Sequence, residues 1–259
     1  VAGVLKISWF NIEALFYLIE LFGHCVGFGG VLGEGVQWAA DHLGGGADAF
    51  AMHIKGLELP GYEPRGVKGY ALSMATSNIG GSHMYGRPRE EFSGQVDPLV
   101  EAGKGDLIAR VQKEQALEDS LIACTFGNTG LDTAMYARLL LAATGIEDFE
   151  DARSLLIIGE RIVCIERCFN AREGFGRKDD TLPERMRKEP LQQAGPATDQ
   201  VVGNLEHLLD EYYQALGYTE KGIPGIERLQ ALDLPEAVED IKTHPATNSS
   251  KSPGKSGQP

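Results

Sequence analysis

Cys124 ends the string Asp119-Ser120-Leu121-Ile122-Ala123-Cys124, where a helical pattern gives way to a glycine-containing loop over residues 127–130. A cysteine at such a junction can offer its thiolate to an iron atom without breaking a helix, and thiolates are the usual ligands of iron–sulfur clusters. One cysteine cannot hold a cluster, and a lone free cysteine is commonly a small buried hydrophobe. His83 closes Asn78-Ile79-Gly80-Gly81-Ser82-His83, where flanking glycines let an imidazole protrude into a cavity. Imidazole is the side chain best suited to exchanging a proton near neutral pH; the plainer alternative is a loop histidine in water. Arg65, in Glu63-Pro64-Arg65-Gly66, carries a planar fork that fits a carboxylate or phosphate, and a structural ion pair is the favoured reading. Cys164 and Cys168 lie four apart on one helix face with no histidine or further cysteine nearby, which points to core packing rather than metal binding. His24 and Cys25 are adjacent, so on a helix they face different ways and make poor co-ligands.

The elements that must position these residues read as helices. Apolar residues recur at three and four over residues 11–22, 132–144 and 160–170. The first of these has Glu13 and Glu20 as its only charges, so it is expected to be buried on most of its circumference. Further helices are expected over 32–43, ending in Gly44-Gly45-Gly46, over 70–76, 107–119, 149–158 and 199–216, and a final short one within 229–240. A hairpin is expected around residues 50–59, and a structured connection rich in proline and glycine follows over 55–69. From Thr243 the composition is Ser, Lys, Pro, Gly, Asn and Gln, which cannot bury enough apolar surface to order itself. The fold class is therefore mainly α.

Composition narrows function by exclusion. A net charge of −13 argues against nucleic acid and against an anionic membrane surface. No apolar run approaches the roughly 20 residues of a membrane-spanning helix, and no secretory signal is visible at the N-terminus. Four cysteines without CxxC spacing fit a reducing compartment, so a cytoplasmic location is expected. The chain begins at Val1 and enters a core-like helix almost at once, as the C-terminal part of something longer would.

Residues 159–186 read GERIVCIERCFNAREGFGRKDDTLPERM: an amphipathic helix, then an ordered loop specified by two glycines, opposed charges and a proline. This stretch resembles the C-terminal signature of the aldehyde ferredoxin oxidoreductase family, the tungsten- or molybdenum-pterin enzymes. Residues 57–83 (LELPGYEPRGVKGYALSMATSNIGGSH) resemble the same family, and the likeness extends over about residues 11–240. It implies the end of a second helical domain over 1–52, a whole third helical domain over 53–242 and a disordered tail over 243–259. In that family a late Asp-x-x-Gly-Leu-Cys element supplies the fourth ligand of a [4Fe-4S] cluster, and its aspartate touches the pterin. Here Ile122 and Ala123 replace Gly-Leu, while Asp119 and Cys124 keep the separation. The resemblance thus implies Cys124 as a cluster ligand, Asp119 as a pterin contact and His83 as the residue that orients or protonates the substrate oxygen. Two residues beyond His83 the family often has a lysine near the pterin, where this chain has Tyr85. Gly130-Leu131-Asp132-Thr133 spells another pterin-binding string of the family, but it opens a helix in the wrong region and reads as a helix cap. The implied activity is oxidation of a small aldehyde to a carboxylic acid, with electrons leaving through a tungsten- or molybdenum-bis-pterin and a [4Fe-4S] cluster to ferredoxin or another acceptor. The family's CxxCxxxC run and its β-rich first domain are not in this sequence, and a homo-oligomer is compatible with the reading. The alternatives are an aromatic acyl-CoA ring reductase on the same scaffold and a non-catalytic helical domain that packs against another subunit.

Overall fold

The computed structural model describes residues 8–127 and 130–244. Among them the secondary structure is helical apart from one two-stranded hairpin and an isolated antiparallel bridge between Tyr218 and Pro224. Helix α1 (Ile12–Gly23) starts where Asn11 Oδ1 accepts from the Ala14 amide at 3.1 Å. The single helix expected over 32–43 is divided into α2 (Phe28–Gly33) and α3 (Val36–Leu43). Gly35 makes the break with φ +100°, and the Val36 amide at the start of α3 donates to Glu58 Oε1 at 2.7 Å. A carboxylate at a helix N-terminus satisfies an orphan donor and complements the dipole, so α3 begins where the hairpin supplies its cap.

That hairpin pairs β1 (His53–Ile54) with β2 (Leu57–Glu58), His53 opposite Glu58 and Ile54 opposite Leu57. Its two-residue turn, Lys55-Gly56, has φ positive at both positions, as a tight hairpin requires. Helix α4 (Lys68–Thr76) is buried along its whole length. Glu91 of α5 (Arg89–Phe92) accepts from the Gly69 and Tyr70 amides at 2.9 and 3.1 Å, and buried Lys104 holds that carboxylate at 2.5 Å.

Lys104 opens α6 (Lys104–Ser120), which lies between α4, α8 and α10. Helix α7 (Thr133–Thr144) is capped by Asp132, which accepts from the Met135 amide at 2.8 Å, so Asp132 serves as the cap the sequence suggested. The two helices expected over 149–158 and 160–170 are one, α8 (Ala152–Arg172). Gly159, which falls between the two expected helices, is a contact: a Cβ there would lie 2.0 Å from the Lys113 carbonyl oxygen of α6. The glycine lets two helices cross backbone to backbone.

After the short α9 (Glu184–Lys188) comes α10 (Leu205–Leu216), which starts later than expected, and then α11 (Ile226–Ala231) and α12 (Pro235–Thr243). These last two fall where a single short helix is expected within 229–240. Asp233, at φ +52°, and Pro235, in the first turn of α12, separate them. Leu72, Met74, Ile108, Leu208 and Leu216 form the main core, and Cys164, Cys168, Leu229 and Leu234 a second. The N-terminal helix departs from expectation. Of α1 only Ala14 is buried, while Ile12, Leu15, Phe16, Tyr17 and Ile19 are exposed; its main neighbour is α2, too short and glycine-rich to cover it. The expected disordered tail over 243–259 lies outside the described residues beyond His244, and Thr243 closes α12.

Candidate active site

Asp119 is in the last turn of α6, exposed, and its Oδ1 accepts from Gln115 Nε2 at 2.9 Å. Cys124 follows in the loop beyond the helix and is an exposed free thiol. The turn between them is tight. Ile122 has φ +55°, and the Ala123 amide donates back to the Glu118 carbonyl at 3.1 Å. The surface around the thiol is apolar: Ile122 is 94% and Phe126 79% exposed. Cys164 and Cys168 differ on every count. Both are buried, and burial pushes their thiols up to about 11 and about 12, so they stay protonated at neutral pH and make poor ligands.

His83 is half-buried, in the segment between α4 and α5. Its ring stacks on Tyr62 at 5.3 Å with planes 26° apart, and its carbonyl accepts from Tyr70 Oη at 2.9 Å. Tyr70 stands edge-on to both Tyr62 and Phe92, so an aromatic set fixes the ring and the backbone of His83 together.

Tyr85 lines a cleft of about 190 Å³ between α6 and α8, with Gln112, Gln115, Ala116, Asp119, Ser120, Ile162 and Glu166. Asp119 and Tyr85 are thereby brought to one cleft; Cys124 and His83 are not part of its lining. The Tyr85 hydroxyl donates to Glu166 Oε2 in a short bond and accepts from Asn78 Nδ2 at 2.5 Å. Burial, then the nearby Glu166 carboxylate, pushes the phenol well above its ordinary value, so it remains a donor. Sequence reasoning missed Glu166, which looked like one more charge on the polar side of α8; only the fold brings it to Tyr85.

The signature loop gains its order from Asp180. This fully buried carboxylate binds Arg167 at 2.9 and 2.5 Å, Lys55 at 2.9 Å and the Tyr213 hydroxyl at 2.5 Å. Arg65 makes the expected structural pair, with Glu63 Oε2 at 2.7 Å, and also donates to the Glu189 carbonyl at 2.8 Å.

The family model "Aldehyde ferredoxin oxidoreductase, domains 2 & 3" matches residues 2–234. The chain belongs to the aldehyde ferredoxin oxidoreductase family. It is 38% identical over 234 residues to the tungsten-containing aldehyde ferredoxin oxidoreductase of Pyrococcus furiosus, covering 88% of this chain and 38% of that protein. It is 26% identical over 254 residues to an aliphatic sulfonate oxidoreductase, WOR-like subunit, of the same organism, covering 92% of this chain and 37% of that one. In fold it is similar to the BamBC active-site complex of benzoyl coenzyme A reductase with 1,5-dienoyl-CoA, with a TM-score of 0.67 at 21% identity over 97% of this chain and 42% of that chain. The chain thus spans well under half the length of the relatives it matches. The mainly helical architecture expected from the sequence agrees with this family.

Whether these residues fit an iron–sulfur cluster is decided by their donors. Among the described residues no group of three or more His, Cys, Asp or Glu could hold a metal ion. Cys124 fits the part of one exposed thiolate among several ligands, and the described residues do not form a complete site.

Proposed function

We propose that this chain is the C-terminal part of a metallopterin oxidoreductase that oxidises small aldehydes to carboxylic acids, with ferredoxin or another carrier taking the electrons. The observation that carries this reading is the 38% identity over 234 residues to a tungsten-containing aldehyde ferredoxin oxidoreductase, joined to an exposed thiol five residues beyond an exposed aspartate at the end of α6. When bound, a tungsten- or molybdenum-bis-pterin and a [4Fe-4S] cluster supply the redox chemistry and the path for electrons. In this reading Cys124 gives its thiolate to one iron, the Asp119 carboxylate accepts hydrogen bonds from the pterin, and His83 holds or moves a proton at the substrate oxygen. The division into the end of one helical domain over 1–52 and a second over 53–242 belongs to the same proposal. Ring reduction of an aromatic acyl-CoA is the weaker reading, because its support is a likeness of fold at 21% identity.

The test is a pair of substitutions in the complete protein. Cys124→Ala should lose iron and change the paramagnetic signal of the reduced cluster, because a methyl group cannot replace a thiolate. Cys164→Ala should keep both and cost only packing, on the order of 1–3 kcal/mol for a buried side chain. Equal iron and an unaltered signal in Cys124→Ala would remove Cys124 from the cofactor and the reading with it.

A further inference from the structure

We propose that Tyr85 and Glu166 are positioning residues for His83, holding the histidine segment against α8. The inference rests on the reading of His83 as the residue that handles the substrate proton. Residues 77–86 include Gly80 and Gly81, with Gly80 at φ +95°. Such a segment has much conformational freedom to lose, and fixing it costs about 1–2 kcal/mol per residue, so its order must be imposed by contacts outside it. At its near end, the Asn78 carbonyl accepts from Asn170 Nδ2 at 2.8 Å and Asn78 Nδ2 donates to the Val163 carbonyl at 3.3 Å. At its far end, the Tyr85 hydroxyl donates to Glu166, and the Gly86 carbonyl accepts from Ser73 Oγ at 2.7 Å. Positions 163, 166 and 170 fall on one stripe of α8, so a single helix face grips both ends of the segment, and His83 lies between the grips.

The two ends are also joined directly, because Asn78 Nδ2 donates to the Tyr85 hydroxyl at 2.5 Å. The bond from Tyr85 to Glu166 has an ionisable acceptor, and charge-assisted bonds are roughly twice as strong as neutral ones. Stacking on Tyr62 orients the imidazole plane and Tyr70 Oη holds the His83 carbonyl at 2.9 Å, while the clamp on α8 fixes the two ends of the segment on either side of these contacts.

The experiment uses the complete enzyme and the variants Tyr85→Phe, Glu166→Leu, Glu166→Gln, His83→Ala and Tyr85→Phe/His83→Ala. Two readouts are taken: kcat and KM for a small aldehyde with a viologen acceptor, and the rate at which diethyl pyrocarbonate modifies His83, followed by peptide mapping. A small misplacement of a reacting group costs up to about a hundredfold in rate. Tyr85→Phe and Glu166→Leu should therefore lower kcat by roughly tenfold to a hundredfold, with KM, iron and pterin content unchanged. His83 should react severalfold faster in both, and Glu166→Gln, which keeps an acceptor for the phenol, should restore both measurements. Tyr85→Phe should add nothing in the His83→Ala background, since a residue acting through His83 has no effect without it. Unchanged His83 reactivity in Tyr85→Phe, a multiplicative effect in the double variant, or loss of pterin from Tyr85→Phe would each overturn the proposal. If His83→Ala itself leaves kcat unchanged, the reading of His83 fails, and the modification rate still decides whether the clamp holds the segment.

Discussion

Asp180 shares its buried site with two cations, Arg167 and Lys55, and with the Tyr213 hydroxyl. Burial by itself would raise this carboxyl, but the neighbouring Arg167, then Lys55, hold it below the usual carboxylate range. Lys55 is shifted the other way: burial lowers its ammonium, and Asp180 opposes that only in part. The consequence for stability follows from the direction at Asp180. A carboxyl whose native pKa lies below its unfolded value of about 3.9 contributes stability that is fully present above that pH. It is lost as pH falls through the native value. Unfolding free energy of the complete protein should therefore drop as pH goes below about 4. Asp180→Asn should be less stable by about 3–5 kcal/mol at neutral pH, because two cations stay buried without their anion, and it should show a shallower acid slope. Denaturant titrations at several pH values read both; equal slopes in the two proteins would rule out Asp180 as the source. The sequence showed the loop around Asp180 to be ordered, but not why, since Lys55, Arg167 and Tyr213 lie 125, 13 and 33 residues away from it.

Helix boundaries survived the passage from sequence to structure best where a helix has a cap of its own. Asp132 and Gly145 cap α7, and Asn11 and His24 cap α1, close to the bounds 132–144 and 11–22 expected from the pattern. The pattern failed where a glycine had two meanings. Gly35 does end a helix, with a positive φ and a cap supplied from Glu58, whereas Gly159 sits inside α8 because α6 needs the space of its absent side chain. Nothing local distinguishes them. The site was legible in part: Asp119, Cys124 and His83 stand out by motif, while Glu166 and Asn78 gain meaning only from the packing of α8 against the histidine segment. The crossing of α6 and α8 gives the test at this scale. Gly159→Ala would drive a methyl group into the Lys113 carbonyl, and overpacking of this kind costs about 1–3 kcal/mol or more. Gly23→Ala, at the end of α1 with nothing within 4 Å, should cost little. Thermal unfolding of the two variants should differ in that order, and a harmless Gly159→Ala would mean that the helices can separate at no cost.

Over the molecule as a whole, large apolar side chains lie open at two places. The apolar side of α1 presents Phe16, Ile19 and Leu15, and the loop at Cys124 presents Ile122 and Phe126. Exposed apolar side chains grouped in this way favour association of a polypeptide produced alone. Produced alone, this polypeptide should self-associate, and Phe16→Glu with Ile19→Glu should shift it toward monomer in sedimentation; no shift would show that the α1 face is not what drives association. The chain spans 38% of the length of its tungsten-containing relative, and the donor inventory points the same way. Of the four free cysteines only Cys25 and Cys124 are exposed, Cys164 and Cys168 are held protonated in the core, and no group of three metal-binding side chains occurs among the described residues. A [4Fe-4S] cluster ordinarily needs four thiolates, which packing cannot supply. Reconstituted with iron and sulfide, the isolated polypeptide should therefore show no cluster absorbance and no aldehyde-dependent viologen reduction. The complete protein should show both and lose both in Cys124→Ala. If the isolated chain assembled a cluster and turned over aldehyde, the ligands would lie among its own residues, and the assignment of Cys124 as one contributor to a shared site would be wrong.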